Sequence, residues 1–143
     1  MANAKTILKA LAGTYALINT TTLYNGIPGP DVQFRKDPRG MLVYTQTGYV
    51  SVVITDATNI TLSFAGPLNV DPVAVSTVVT GEIIYGPFIA SNVPALIGTK
   101  ERTKYDISFS DGTNDFPCGT KILSTQSLGH NGTEELALWR SID

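Results

Sequence analysis

Cysteine, histidine and tryptophan each occur once in this 143-residue chain. Each scarcity removes a class of protein. A single cysteine, Cys118, cannot close an internal disulfide, so no disulfide framework holds this fold. Cys118 reads as a small loop or core thiol. One cysteine and one histidine are too few for a zinc site of thiolates and imidazoles, and no metal is expected. Ser-His-Asp catalysis would depend on His130, which stands in the turn-like run Gly129-His-Asn-Gly132.

Charge is scarce as well. Charged residues make up 15% of the chain and the formal net charge is −2. The Lys and Arg residues are scattered, whereas a nucleic-acid binder needs a basic stripe to displace counterions from phosphates. No nucleic-acid partner is expected. There is no phosphate-binding glycine loop and no Gly-x-Gly-x-x-Gly opening a helix, and no cofactor is expected. No run approaches the roughly 20 apolar residues of a membrane-spanning helix. Lys5 and Lys9 interrupt the apolar stretch of residues 1–13, which therefore lacks the hydrophobic segment of a secretion signal. These features point to a cytoplasmic protein with no membrane partner. The triplets at Asn19, Asn59 and Asn131 then read as chance matches to the glycosylation pattern in a Thr-rich chain.

What the chain does have is apolar residues, 43% of the total. At this length a folded chain buries roughly two-thirds of its unfolded surface, enough for one core. Residues 1–143 read as a single domain with no repeat or linker. Residues 3–11 predict a short helix, capped by Asn3, stopped by Gly13 and apolar along Ile7, Leu8 and Leu11. Strand-like runs follow at Tyr15–Thr22, Met41–Gln46, Tyr49–Thr55, Asn59–Phe64, Glu82–Tyr85, Lys100–Phe109, Thr120–Leu128 and Glu134–Ile142. They alternate apolar and polar residues and are separated by Gly, Pro and Asn turns. Residues 66–80 are ambiguous: Asp71-Pro72 suits a helix start, while the valines between 73 and 79 favour a strand. Residues 91–98 read as a loop. About eight short strands without long helices predict an all-β, up-and-down antiparallel barrel, with room inside for one small ligand.

Three segments carry a family resemblance. The opening Leu11-Ala-Gly13-Thr14-Tyr15-Ala-Leu17 resembles the Leu-x-Gly-Thr-Trp-x-Leu start of the lipocalin-like domain family. The block Asp37-Pro-Arg-Gly40-Met-Leu42-Val-Tyr44-Thr45-Gln-Thr-Gly48-Tyr49-Val-Ser51-Val52 is similar to that family's second block. Leu138-Trp139-Arg140 resembles its closing pattern. The resemblance covers both ends and the first third of the chain; about residues 66–95 match poorly. It implies a barrel plugged at one end by a first-strand aromatic and a basic residue near the last strand. Here Tyr15, where the family usually has Trp, and Arg140 would meet through a cation–π contact. Small intracellular members recur in natural-product pathways, which implies a secondary-metabolite ligand.

Side-chain alternation along a strand selects the residues that share the cavity. On Lys100–Phe109, inward Ile107 and Phe109 would bring Glu101, Thr103 and Tyr105 to the same face, with Arg102, Lys104 and Asp106 outside. Leu42 and Tyr44 share a face. On Gly81–Tyr85, either Glu82 with Ile84 or Ile83 with Tyr85 points in. Arg35 precedes the Pro38–Gly40 loop, where a barrel mouth would lie. A carboxyl in an apolar barrel has a raised pKa, which suits a general acid or base. Tyr44 and Tyr105 can donate to a developing oxyanion and Arg35 can stabilise an enolate or carboxylate. Glu101, Tyr105, Glu82, Arg35 and Tyr44 are therefore the candidate catalytic set. The set suits a cofactor-independent isomerase, cyclase, rearrangement or dehydration enzyme acting on a small apolar secondary metabolite. A carrier for a small hydrophobic ligand is the alternative, in which Glu82 and Glu101 are solvated rim charges and the tyrosines line the wall. An interaction domain, a homodimer through one sheet face, is a third reading.

Overall fold

The computed structural model describes residues 3–29, 37–58, 61–113, 115–128 and 133–143. Arg35, Ile60, His130 with the 129–132 turn, and the triplets beginning at Asn59 and Asn131 lie outside the described residues. Helix α1 (Ala4–Leu11) is followed by strands β1 (Gly13–Tyr24), β2 (Ile27–Gly29), β3 (Arg39–Tyr44), β4 (Tyr49–Thr55), β5 (Thr61–Val70), β6 (Thr80–Tyr85), β7 (Ala90–Ser91), β8 (Glu101–Phe109), β9 (Lys121–Leu128) and β10 (Thr133–Ser141). Strands β1, β3, β4, β5, β6, β8, β9 and β10 pair antiparallel in that order, and β10 returns to pair with β1. The result is the closed eight-stranded antiparallel barrel with a short N-terminal helix that the strand spacing predicts. Closure leaves no barrel strand with an unpaired edge. The short β2 and β7 are appended to β1 and β5.

Alternating burial marks the inner face. On β4, Val50, Val52 and Ile54 are buried and their neighbours exposed. On β5 the inward residues include Phe64 and Leu68, and on β3 Leu42 and Tyr44. Gly66 to Val70, ambiguous in the sequence, completes β5. Residues 71–79 form a loop. Its Asp71-Pro72 opens no helix, because the Asp71 carboxylate accepts from the Val73 amide at 2.9 Å and pairs with Arg102. Val73 and Val75 project to solvent, 87% and 82% exposed, which also rules out the strand alternative.

Helix α1 closes the barrel end where β1 begins. Asn3 caps it by accepting from the Thr6 amide at 2.9 Å. Ile7 and Leu11 are buried. The Tyr15 hydroxyl donates to the Leu11 carbonyl at 2.6 Å. The basic partner of Tyr15 is Lys121 and not Arg140. The Lys121 ammonium lies 5.5 Å over the Tyr15 ring and donates to the Ala10 carbonyl. Arg140 faces out because its neighbour Trp139 is buried inside, and adjacent strand residues take opposite faces. Phe109, expected inward, is 62% exposed at the end of β8, two pairs beyond the buried Ile107–Leu123 position. Among the described residues no helix is long and apolar enough to cross a membrane.

Candidate functional site

The barrel interior has two chemically different walls. Strands β3, β4 and β5 present Leu42, Val50, Val52, Ile54, Phe64 and Leu68, all buried and apolar. The opposite wall is polar. Strand register brings Ile83, Thr103, Ser127, Glu135 and Thr22 into one row across β6, β8, β9, β10 and β1. Four of the five carry a hydroxyl or a carboxyl. Next to this row, towards the mouth, Glu101 stands opposite Tyr85. Towards the floor, Tyr105, Thr125, Ala137 and Thr20 form the adjacent row.

Thr20 and Thr22 reach the inner face because of a register shift at Ile18 in the β1–β10 ladder. Without that bulge, the parity that turns Tyr15 inward would turn Thr20 and Thr22 outward. The Thr22 hydroxyl donates to the Glu135 carboxylate at 2.9 Å. Trp139 is buried and donates its indole N–H to Thr125 Oγ1 at 3.0 Å.

Glu101 is the centre of this polar wall. Desolvation pushes its carboxyl pKa up, and a hydrogen bond from Ser127 partly offsets the push. It nonetheless remains partly exposed although its strand position faces the interior, as do Thr20, Ser127 and Glu135. Below these inward residues the barrel end is closed by the fully buried Tyr15, Leu11 and Leu123.

Tyr44 and Tyr85 are buried on the inner face and their hydroxyls hydrogen-bond to each other. Their rings lie 6.1 Å apart. Burial raises both phenol pKa values, and the nearby Glu101 charge raises them further. Both tyrosines therefore stay protonated and can act only as neutral hydrogen-bonding groups. Thr103 is fully buried between Glu101 and Tyr105. Its hydroxyl lies beside the Tyr85 phenol and offsets part of that group's upward shift.

The structure thus brings Glu101 and Tyr44 of the sequence-derived set together and separates Tyr105 and Glu82 from them, while Arg35 lies outside the described residues. Tyr105 has the predicted facing, but lies four residues along β8 from Glu101, roughly 13 Å at strand rise. Its hydroxyl donates to the Thr77 carbonyl at 2.6 Å, sealing the wall against the 71–79 loop. Glu82 faces outward, since Ile83 and Tyr85 are the buried residues of β6. It lines an outer groove with Lys104, Asp106 and Gln126. Tyr85, Thr103, Ser127, Glu135 and Thr22 join the site, and the candidate set omitted them all. Tyr85 was one of the two alternatives for β6. Glu135 shares parity with Trp139, a signal the sequence did carry. Thr22 was hidden by the bulge.

Among the described residues no group of three or more His, Cys, Asp or Glu side chains has the arrangement of a metal site. Comparison of the chain with protein-family models, curated proteins and solved structures returns no match.

Proposed function

We propose that the barrel interior takes up a small, largely apolar metabolite and that Glu101 transfers a proton to or from it without a cofactor. The observation that carries this reading is the position of Glu101: a partly exposed carboxyl at an inward-facing strand position opposite Tyr85, whose pKa burial raises. A carboxyl poised this way works as a general acid in its neutral form and as a general base once ionised. The aliphatic wall of β3–β5 supplies affinity for apolar surface. The protonated Tyr44–Tyr85 pair supplies hydrogen bonds for an oxygen that gains charge. An isomerisation, cyclisation, rearrangement or dehydration fits this equipment, since each needs proton transfer alone. The lipocalin-like segments of the sequence support an interior ligand site and a role in secondary metabolism.

A carrier function has one observation in its favour: the Tyr44 and Tyr85 hydroxyls already satisfy each other. A protonated Glu101 would then only anchor a ligand oxygen. The two readings separate in Glu101→Gln, which keeps the shape and the hydrogen bonding but cannot ionise. Binding of neutral polyketide-like and terpenoid compounds is followed by fluorescence of Trp139, the single tryptophan, and conversion by mass spectrometry. The enzyme reading predicts binding within about threefold of wild type and turnover lower by about 100-fold or more. Unchanged turnover in Glu101→Gln removes the proposed role of this residue. Binding without conversion by either protein leaves the carrier.

A further inference from the structure

We propose that the outer wall formed by β3, β4, β5 and β7 docks against the same wall of a second copy of this chain, making a two-fold homodimer. The inference concerns the outside of the barrel and holds whatever the interior binds.

Its basis is the way the chain distributes charge. From Gly40 to Val70 the single charged residue is Asp56, and from Ile83 to Thr99 there is none. Asp56 is buried and accepts from the Thr58 amide and hydroxyl. Strand register assembles these segments into one surface. Val43, Ser51, Ala65 and Ala90 follow one another across β3, β4, β5 and β7. Met41, Val53 and Ser63 make the adjacent row, and Tyr49 stands opposite Pro67. Period-two alternation turns all of these outward, since Leu42, Val50, Val52, Phe64 and Leu68 point in. Met41, Tyr49 and Val53 are 49%, 52% and 46% exposed. Ile89 and Ile97, also exposed, extend the patch past β5, where the Ile89 amide donates to the Ala65 carbonyl at 2.8 Å. Arg39, opposite Thr55, and Arg140, opposite Ala16, stand only at the margins. The far side of the barrel is the reverse: β6 and β8 turn Glu82, Arg102, Lys104 and Asp106 outward.

Charge and area select the occupant. A partner that brought charged side chains onto this wall would bury them without a counter-charge, at a high desolvation cost. The surface must therefore meet another uncharged one, and this chain carries such a surface itself. In an isologous dimer the wall faces its own copy, and no like charges are brought together at its centre. Interface cores are depleted of charge and enriched in Met and Tyr, with charged residues at the rim, which is the arrangement of Met41 and Tyr49 inside a margin of Arg39 and Arg140. Met41, Tyr49, Val53, Ile89 and Ile97 together expose roughly 500 Å², towards the upper end of the largest apolar patches of monomeric proteins. The Ser, Thr and Ala residues between them bring the wall to the roughly 800 Å² that a standard interface takes from each partner. A lipid surface is the weaker fit, because peripheral membrane binding draws on Lys and Arg beside Trp and Phe, and the wall offers none of these at its centre.

Sedimentation velocity of the full chain from about 1 to 100 μM is the test. The expected mass at the upper end is twice the 15.3 kDa of one chain. Val53→Lys and Ser51→Lys each bring two like charges, one from each copy, into the middle of the interface. Each is expected to raise the dissociation constant by about 100-fold or more. Both positions are exposed, so the variants are expected to keep the circular dichroism spectrum of wild type, and Ser51→Lys serves if Val53→Lys does not fold. Asp106→Lys, on the charged side of the barrel, is expected to dimerise as wild type does. Wild-type protein that stays at the mass of one chain throughout overturns the inference. So does a dimer that both Val53→Lys and Ser51→Lys leave intact, or one that Asp106→Lys dissociates equally well. Monomeric wild-type protein that cosediments with phosphatidylcholine vesicles also overturns it and gives the wall to a lipid surface.

Discussion

Glu101 is held where its neutral form is favoured, and folding feels this. A carboxyl whose folded pKa is raised binds protons more tightly in the native state than in the unfolded chain. Below the ordinary glutamate value of 4.5 both states are protonated and nothing is lost. As pH rises from there through the raised folded pKa, the unfolded chain ionises more readily, and native stability falls by a growing amount that then levels off. Glu101→Gln removes this penalty. The variant is therefore expected to melt at a higher temperature than wild type at neutral pH, with the difference vanishing below about pH 4. Thermal denaturation at several pH values checks it; an equal difference at all pH values would mean that ionisation of Glu101 plays no part. The facing of Glu101 was legible in the sequence because a strand alternates with period two, and Ile107 fixed the phase. Its companions were less so. Parity says which face a residue occupies, not which residues of other strands stand beside it. For that reason Tyr105 was grouped with Glu101, although strand register puts Tyr85 across from Glu101 and gives Tyr105 to the 71–79 loop. The position of Arg140 was readable by the same rule, since an inward Trp139 sends its neighbour out.

At the scale of elements, the 71–79 loop shows why local propensity misled. Its valines suit a strand and its Asp-Pro suits a helix start, but neither forms. The loop covers the wall at the end of β6 where β5 has already stopped, and Asp71 anchors it. The Asp71 side chain is 2% exposed, pairs with Arg102 and accepts from the Val73 amide. The Asp71 amide in turn donates to the Glu82 carbonyl at 3.0 Å. Asp71→Ala leaves the Val73 amide and the Arg102 guanidinium without their acceptor, and is expected to cost about 1–3 kcal/mol. The midpoint of urea unfolding measures this. A midpoint unchanged from wild type would mean that the loop is not anchored through this carboxylate. Tyr105 would be the next to suffer, because its hydroxyl rests on the loop carbonyl of Thr77. Strands β3 and β4 and the capped helix, by contrast, were legible from their own residues, since alternation and cap chemistry are local. The β1 bulge was not, because nothing in Ile18 distinguishes it from a regular strand residue; the bulge exists to keep register with β10.

The whole molecule is a sealed-floor barrel whose interior is divided lengthwise. One half is aliphatic and aromatic; the other carries two carboxyls and a set of hydroxyls. Barrel closure was legible from the number and spacing of the strands. The division was not, because it arises only when β8, β9, β10 and β1 lie side by side in one register. The proposed function rests on this division, an apolar wall facing one that carries Glu101 and its neighbouring hydroxyls. The state of Glu101 is therefore the quantity on which the account turns, and it can be read directly. Glu101 is one of only four glutamates, and its side-chain carboxyl carbon can be followed by NMR in protein labelled at glutamate, with Glu101→Gln assigning the signal. A titration midpoint clearly above 4.5 is the predicted result. A midpoint at or below 4.5 would mean that Glu101 is an ordinary solvated carboxylate at the rim, and would contradict the account.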